Sequence, residues 1–458
     1  MITTILAFVL TLGVLIVIHE YGHYCVAVAC GVKVLRFSVG FGRVLWRRQK
    51  SADSTEFVVC ALPLGGYVKM LDEREGPVAP DELNRAFNRK SLGQRTAIVA
   101  AGPLANLLLA VLLYATQNWI GLDEAKPVLA APAAGSLAQN AGLRAGDWVQ
   151  AWSLDGNEWR EVQSLSGLRW QVTQALMRGE SLQLRVTDRN GRGARVALLD
   201  IASLGSHEVD AKQLQRIGIG NAFSEPVLGE VIAGDLGAKA GLMRGDRVLR
   251  VDGVDVADSA TLYDLIRASG TTGQARTMQW RIDRAGQTLE LPVTPGVSKD
   301  KDGVKTFGRV GVKLDAPVEM VKVRYGVVEG LGEAVSKTWQ MSTLTVKMLG
   351  KMLIGQASLK NLSGPLTIAD YAGQSVRLGL AYFLGFLAVV SVSLGVLNLL
   401  PLPVLDGGHL MYYLFEGVTG RPVSELWLDR LQRGGVAIML MMMSLALYND
   451  VARLLGLQ

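Results

Sequence analysis

Charge is scarce in this 458-residue chain: Asp, Glu, Lys and Arg make up 19%, against about 25% in soluble proteins. Together with 49% hydrophobic residues, this excludes a disordered chain and argues against a purely soluble enzyme. Cysteine is scarcer still. There are three, and Cys25, Cys30 and Cys60 all lie close to the N-terminus. The number is odd and the long polar middle has none, so neither a disulfide framework nor a disulfide partner is expected. Histidine numbers four. The net charge of +6 does not gather into a basic stripe with interleaved aromatics, so nucleic acid is not an expected partner.

What the chain has is long apolar runs. A helix crosses the hydrocarbon core with roughly 20 apolar residues. Met1–Ile18, Thr96–Ile120 and Leu378–Leu400 carry no Asp, Glu, Lys or Arg, and Gly434–Tyr448 reaches length only by including Asp450 and Arg453. The first run has no basic residues before it and runs straight into His19-Glu20, so it reads as a retained span rather than a cleaved signal. Lys33, Arg36, Arg43, Arg47, Arg48, Lys50, Arg85, Arg89, Lys90 and Arg95 crowd the segment after span one. The positive-inside rule puts that segment in the cytoplasm and residues 121–377 outside. In a two-membrane bacterium the outside is the periplasm, and the lipid bilayer is itself a partner.

The polar middle holds a duplication. PVLAAPAAGSLAQNAGLRAGDWV at 127–149 returns as PVLGEVIAGDLGAKAGLMRGDRV at 226–248. The spacing is too long for a solenoid repeat, so two copies of a small domain are expected. The second copy continues as strand, turn, helix and strand, an α+β pattern. Its A-G-L-x-x-G-D-x-V-x-x-V-D-G run resembles the PDZ family, whose grooves take an extended chain as an added strand. The other reading is a rigid pair of domains that only blocks access. Residues 326–353 then space Val327, Leu331, Val335, Trp339, Val346, Leu349 and Leu353 at near-helical intervals with lysines between. This reads as a helix lying in the headgroup plane.

The chemistry concentrates in His19-Glu20-Tyr21-Gly22-His23, an H-E-x-x-H motif. Residues four apart share one helix face, so His19 and His23 are expected to bind one Zn²⁺. Glu20 flanks the metal without having to ligate it and is the expected general base and acid. Three ionisable groups within a span are costly unless something neutralises them, and a dication does so. A catalytic zinc wants a third protein ligand. No further His follows at the spacing of soluble zinc proteases, but after span three the chain reads NLLPLPVLDGGH at 398–409. There Pro401 and Pro403 end the helix, and Asp406 and His409 compete for the third position.

These residues resemble the site-2 protease family of intramembrane zinc metalloproteases, in its bacterial tandem-PDZ branch. The resemblance rests on HEYGHY at 19–24, AGPLAN at 101–106, NLLPLPVLDGG at 398–408 and the duplicated middle. It implies Zn²⁺ held by His19, His23 and Asp406, Glu20 as the catalytic acid/base, and Asn398 as a polar residue contacting substrate. It also implies that the alternating stretches VLRFSVGFGRVLW and TEFVVCALPLGGYVKM form a β-structured loop dipping into the membrane. There Gly40 and Gly42 would border a strand edge that holds a substrate unwound.

The expected fold is a multi-pass α-helical membrane protein with four transmembrane helices, a membrane-associated β-hairpin and two α+β PDZ-like domains outside. Its expected segments are helix one with the motif at 1–24, the cytoplasmic-side β-loop at 25–95, and helix two at 96–120. The two domains follow at 121–221 and 222–316, then an interfacial helix and linker at 317–377. Helix three with the LDG turn takes 378–406, a cytoplasmic-side turn 407–433, and helix four 434–455. The expected activity is endoproteolysis of single-span proteins such as anti-sigma factors and remnant signal peptides at the bacterial inner membrane, after prior trimming. A non-proteolytic membrane scaffold with a structural metal is the rival. A metal transporter would want more ionisable groups along spans two and three than the sequence has.

Overall fold

The computed structural model describes residues 2–51, 53–205, 209–271, 273–274, 276–299, 306–314, 317–354 and 364–454. Parts of the expected second domain and of the 317–377 linker, and the last expected residue of helix four, lie outside them. The chain divides into two units, Met1–Leu122 with Arg324–Gln458, and Asp123–Val323.

The first unit is helical. Its described helices are α1 (Ile2–Ala29), α2 (Leu92–Ile120), α3 (Val327–Leu353), α4 (Pro365–Leu378), α5 (Leu380–Asn398), α6 (Asp406–Thr419) and α7 (Glu425–Leu454). Four of these, α1, α2, α5 and α7, are long and apolar enough to cross a membrane. At 1.5 Å per residue, the 29 residues of α2 reach about 43 Å, beyond the roughly 30 Å of hydrocarbon. Helix α2 starts at a capping box, Ser91 accepting from the Gln94 N–H and the Gln94 side chain reaching back, which satisfies two otherwise orphaned donors.

Helix α2 is the hub, packing against α1, α5, α3 and α6. Apolar attraction between helices is weak in lipid, so close backbone approach and internal hydrogen bonds must hold them. Both are present. A Cβ on Gly22 of α1 would lie 2.4 Å from the Ala101 carbonyl of α2, and one on Gly395 of α5 would lie 3.0 Å from the Pro103 carbonyl. Ser391 Oγ donates to the Asn106 carbonyl at 2.7 Å, and Gln117 Nε2 to the Ala381 carbonyl at 2.8 Å. Ala110, Tyr114 and Ala115 of α2 fill the seam with Ala334 of α3 and Ala388, Val392 and Val396 of α5.

Between α1 and α2 run β1 (Val34–Arg48) and β2 (Glu56–Met70), paired with repeated register shifts. Arg36–Val39 of β1 is paired with Glu56–Val59 on one edge and Gly66–Lys69 on the other, so the two strands curl into a small sheet. Gly40 and Gly42, with φ of +88° and +85°, sit where β1 bends, a conformation that glycine adopts freely. The near part packs on α1 and α2 through Ala27, Val32, Val34 and Ile98. The far part leaves Phe41, Val44, Leu45, Trp46 and Leu62 exposed.

Two stretches differ from expectation. Residues 407–433, expected as a turn, contain α6 and the start of α7. Gly407 and Gly408, inside the expected turn, are close-approach residues: a Cβ would lie 2.1 Å from the Leu400 carbonyl and 2.3 Å from the Leu402 carbonyl, respectively. The 317–377 segment holds a second helix, α4, besides α3. Asp450 of α7 explains both α4 and its own presence in an apolar helix. Its carboxylate accepts from the backbone N–H groups of Gly364, Leu366 and Thr367 at 2.9, 2.9 and 3.2 Å, capping α4.

The second unit contains two four-stranded sheets. One has the order 160–161, 148–153, 182–187, 195–199; the other has the order 254–255, 247–251, 278–284, 287–293. Each sheet carries one helix of ten residues or more, Leu165–Arg178 and Ser259–Ala268. The sequence duplication is a structural one. Gly135, Gly142 and Gly146 of the first copy have φ of +73°, +76° and +84°, and Gly234, Gly241 and Gly245 of the second have +78°, +82° and +91°. Asp147 and Asp246 also play one part. Each accepts a backbone N–H three residues earlier, from Arg144 and Met243, and each binds an arginine, Arg195 and Arg284. Separate cores centre on Leu168, Val172, Leu176 and Leu184, and on Leu262, Trp280, Ile282 and Val293.

Candidate functional site

His19 and His23 lie one turn apart on α1, their rings edge-to-face with centroids 4.8 Å apart. Their Nε2 atoms are 3.1 Å from each other. Asp406 approaches from the break between α5 and α6, its Oδ2 lying 3.1 Å from His19 Nε2 and 3.6 Å from His23 Nε2. The break has a local cause. Helix α5 stops at Asn398, Pro401 and Pro403 prevent its continuation, and Asp406 opens α6 as its first residue. The three side chains are nearly enclosed, 13%, 11% and 20% exposed. Among the described residues this is the single group of three or more ligand-type side chains close enough to share an ion. His409, one turn further along α6, is outside it and stacks edge-on against Tyr412 at 5.9 Å.

The donor set fits a zinc ion. Tetrahedral zinc with bonds of about 2.0–2.1 Å has donor–donor edges of about 3.3 Å, and the triangle here has edges of 3.1, 3.1 and 3.6 Å. Two imidazole nitrogens and one carboxylate oxygen leave a fourth position open, as a hydrolytic site requires.

Two cavities meet at this cluster, and Glu20 and Asp406 line both. One, of about 260 Å³, runs along Leu15, Ile16, His19, Gly65, Gly66, Asn106, Leu394 and Asn398. The other, of about 650 Å³, lies on the His23 side and has a charged wall that includes Asp72, Arg74, Arg95 and Glu416. Asn398, expected beside the site, lines the smaller cavity. Gly40 and Gly42 line neither; a Cβ on Gly40 would meet the Leu62 carbonyl at 2.6 Å. The strand that stands over the site is the Gly65–Gly66 end of β2, where a Cβ on Gly66 would lie 3.0 Å from Glu20 Cγ.

Sequence reasoning passed over the wall that shapes the site. His23 Nδ1 donates to the Ile98 carbonyl of α2 at 2.8 Å, and the ring lies where a Cβ on Gly102 would be, 2.2 Å from its Nε2. Asn106, fully buried, places its amide 3.3 Å from His19 Nδ1. The available signal was a glycine and an Asn near the middle of an apolar span, both inside the AGPLAN run.

Fold and site together define a polytopic membrane protein with a His–His–Asp cluster and a further carboxylate, Glu20, beside it on the first spanning helix, the outline of a membrane-embedded hydrolase. Comparison with known proteins gives this class a family. The model of peptidase family M50 matches residues 7–442. Regulator of sigma-E protease RseP of Escherichia coli K12 is 41% identical over 454 residues, with 98% of each chain covered. A protein of Ralstonia nicotianae provisionally named a zinc metalloprotease is 45% identical over 461 residues, again with 98% of each chain covered. Protease RseP of Yersinia pestis is 38% identical at the same coverage. The chain belongs to peptidase family M50, the site-2 protease family of intramembrane zinc metalloproteases.

Proposed function

We propose that the chain hydrolyses a peptide bond within or beside the transmembrane segment of a single-span protein, with His19, His23 and Asp406 as its zinc ligands and Glu20 as its acid/base. The observation that supports this most is the meeting of two imidazoles and a carboxylate from near opposite ends of the chain, with Glu20 at the junction of two cavities. When bound, zinc acidifies a water and polarises the scissile carbonyl. Glu20 takes the proton of the attacking water and passes it to the leaving amine. Asn398, on the wall of the smaller cavity, donates to the oxyanion as it develops.

A helical peptide hides its carbonyls in its own hydrogen-bond ladder, so cleavage needs local unwinding. Residues 66–69 are paired with β1 on one edge, and the Gly65–Gly66 end stands beside the smaller cavity. A substrate segment adds there as an extended strand. The smaller cavity takes the peptide, and the larger, charged one exchanges water with the cytoplasmic side.

The duplicated modules at 121–221 and 222–316 are PDZ-like domains that lie on the periplasmic side of the inner membrane and admit substrates already shorn of bulky external domains. Helix α3, with Val328, Val335 and Trp339 well exposed on its outer side, rests in the headgroup plane. Substrates of the anti-sigma-factor type suit this arrangement, as the sigma-E regulators among the relatives suggest.

The test is cleavage of a model single-span substrate by detergent-purified protein. Glu20→Gln keeps its fold and about one zinc per chain but loses turnover, whereas Asp406→Asn loses both zinc and turnover. Normal cleavage by Glu20→Gln would refute the mechanism. Metal content without proteolysis in the wild type would favour the scaffold reading.

A further inference from the structure

The two ligand histidines are held from behind by the same helix. The Nε2 of each faces Asp406, and the Nδ1 of each faces α2. For His23 the partner is the Ile98 carbonyl at 2.8 Å. A carbonyl only accepts, so Nδ1 carries the hydrogen and Nε2 presents its lone pair to the ligand cluster.

For His19 the partner is Asn106, and here the amide is the wrong way round. Its Nδ2 lies 3.3 Å from His19 Nδ1, while its Oδ1 is buried with no hydrogen-bond partner. An N–H donor on Nδ1 would force the ring hydrogen onto Nε2, the atom 3.1 Å from Asp406 Oδ2, and would close it to a metal. Amide nitrogen and oxygen exchange places by a half-turn of the terminal torsion and are assigned by their partners. Turned over, the amide sets Oδ1 against Nδ1–H. The backbone below cannot follow the turn, because Ser391 Oγ holds the Asn106 carbonyl at 2.7 Å.

We propose that Asn106 is a positioning residue: its side-chain carbonyl accepts the Nδ1–H of His19, fixing the ring and its tautomer so that Nε2 stays bare for Zn²⁺. This rests on the reading of His19 as a ligand. Partners behind ligating histidines typically contribute about 10–100-fold to metal affinity. Helix α2 then serves as a template, with Ile98 and Asn106 two turns apart matched to His23 and His19 one turn apart on the facing α1.

The experiment uses the full-length protein in detergent, with zinc affinity read by chelator competition. Asn106→Leu, which fills the space without accepting, weakens zinc about 10–100-fold. Asn106→Asp, which accepts and cannot donate, stays within a few-fold of wild type or binds more tightly. Histidine labelled with ¹⁵N separates this from a packing effect or a charge effect, since only four histidines contribute. At alkaline pH the metal-free wild type and Asn106→Asp hold His19 in the Nδ1–H form, and Asn106→Leu shifts it toward Nε2–H. Unchanged zinc affinity in Asn106→Leu, equal weakening in both variants, or an Nε2–H form in the wild type overturns the proposal. If Asn106→Leu does not fold, Asn106→Asp and the wild-type spectrum decide. Wild-type protein without zinc, or His19→Ala that keeps it, would instead overturn the ligand assignment itself.

Discussion

Gly102 gives the sharpest test of how the site is built. An alanine there would place its methyl 2.2 Å from His23 Nε2, 2.6 Å from Cε1 and 2.8 Å from Cδ2, where ordinary contact begins near 3.4 Å. The methyl and the ring would overlap deeply, and the ring has nowhere to move. Its far side is held by the 2.8 Å bond to the Ile98 carbonyl, and its Nε2 is 3.1 Å from that of His19. Misplacing a reacting group by about 1 Å costs on the order of 100-fold in rate. Gly102→Ala is therefore expected to lower kcat/KM at least about 100-fold and to weaken zinc, while an alanine within a helix otherwise gains up to about 1 kcal/mol. Gly93→Ala, in the same helix with nothing within 4 Å of the added methyl, is the control and keeps full activity. The assay is cleavage of a purified single-span substrate alongside zinc content and thermal unfolding. Wild-type turnover and zinc content in Gly102→Ala would show that the α1–α2 crossing does not set the His23 ring.

Asp450→Ala removes the carboxylate that caps α4 and is expected to cost about 1–2 kcal/mol, read as a lower unfolding midpoint with the zinc site intact. An unchanged midpoint would mean that the three backbone donors find water instead. Glu73 is held at about 2 by Arg89 and Asn88, so its contribution to folding is complete above the ordinary glutamate range and fades as pH falls toward 2. In metal-free protein Glu73→Gln unfolds earlier than wild type at pH 7, and the two converge in acid. A gap that persists at low pH would assign the effect to packing. Full chelation of the wild type abolishes cleavage, and added Zn²⁺ restores it; activity that survives chelation would sink the zinc assignment.

Much of this site was readable because its chemistry is expensive. His19, Glu20 and His23 stand out in an apolar run since ionisable groups at membrane depth need a compensating partner. Asp406 stands out because two prolines break a helix just before it. The duplication was equally plain, since a tight turn that needs positive φ tolerates little besides glycine, and Gly135/Gly234 and Gly142/Gly241 mark it twice. Helices α4 and α6 were not legible. The start of α4 depends on Asp450, which belongs to a different and much later helix, and the glycines that open α6 read as a flexible turn. Local pattern says that a glycine is free to bend; whether it is there to bend or to let a carbonyl come close depends on a neighbour.

The same distinction governs what was missed in the site itself. Ligands announce themselves by residue type, but the mould around them does so only by shape. Gly102 contributes an absent methyl and Ile98 a backbone carbonyl, neither of which has a sequence signature. Asn106 is different, because a buried amide in a span carries a desolvation cost and so needs a reason. That cost ties α2 to the chemistry: the span supplies the hydrogen-bond partners of both imidazoles. A helix that contacts both imidazoles cannot slide along α1 without turning one of them away. The small-residue crossing at Gly22 and Gly102 therefore holds the register of His19 and His23 against α2 as well as packing the two helices.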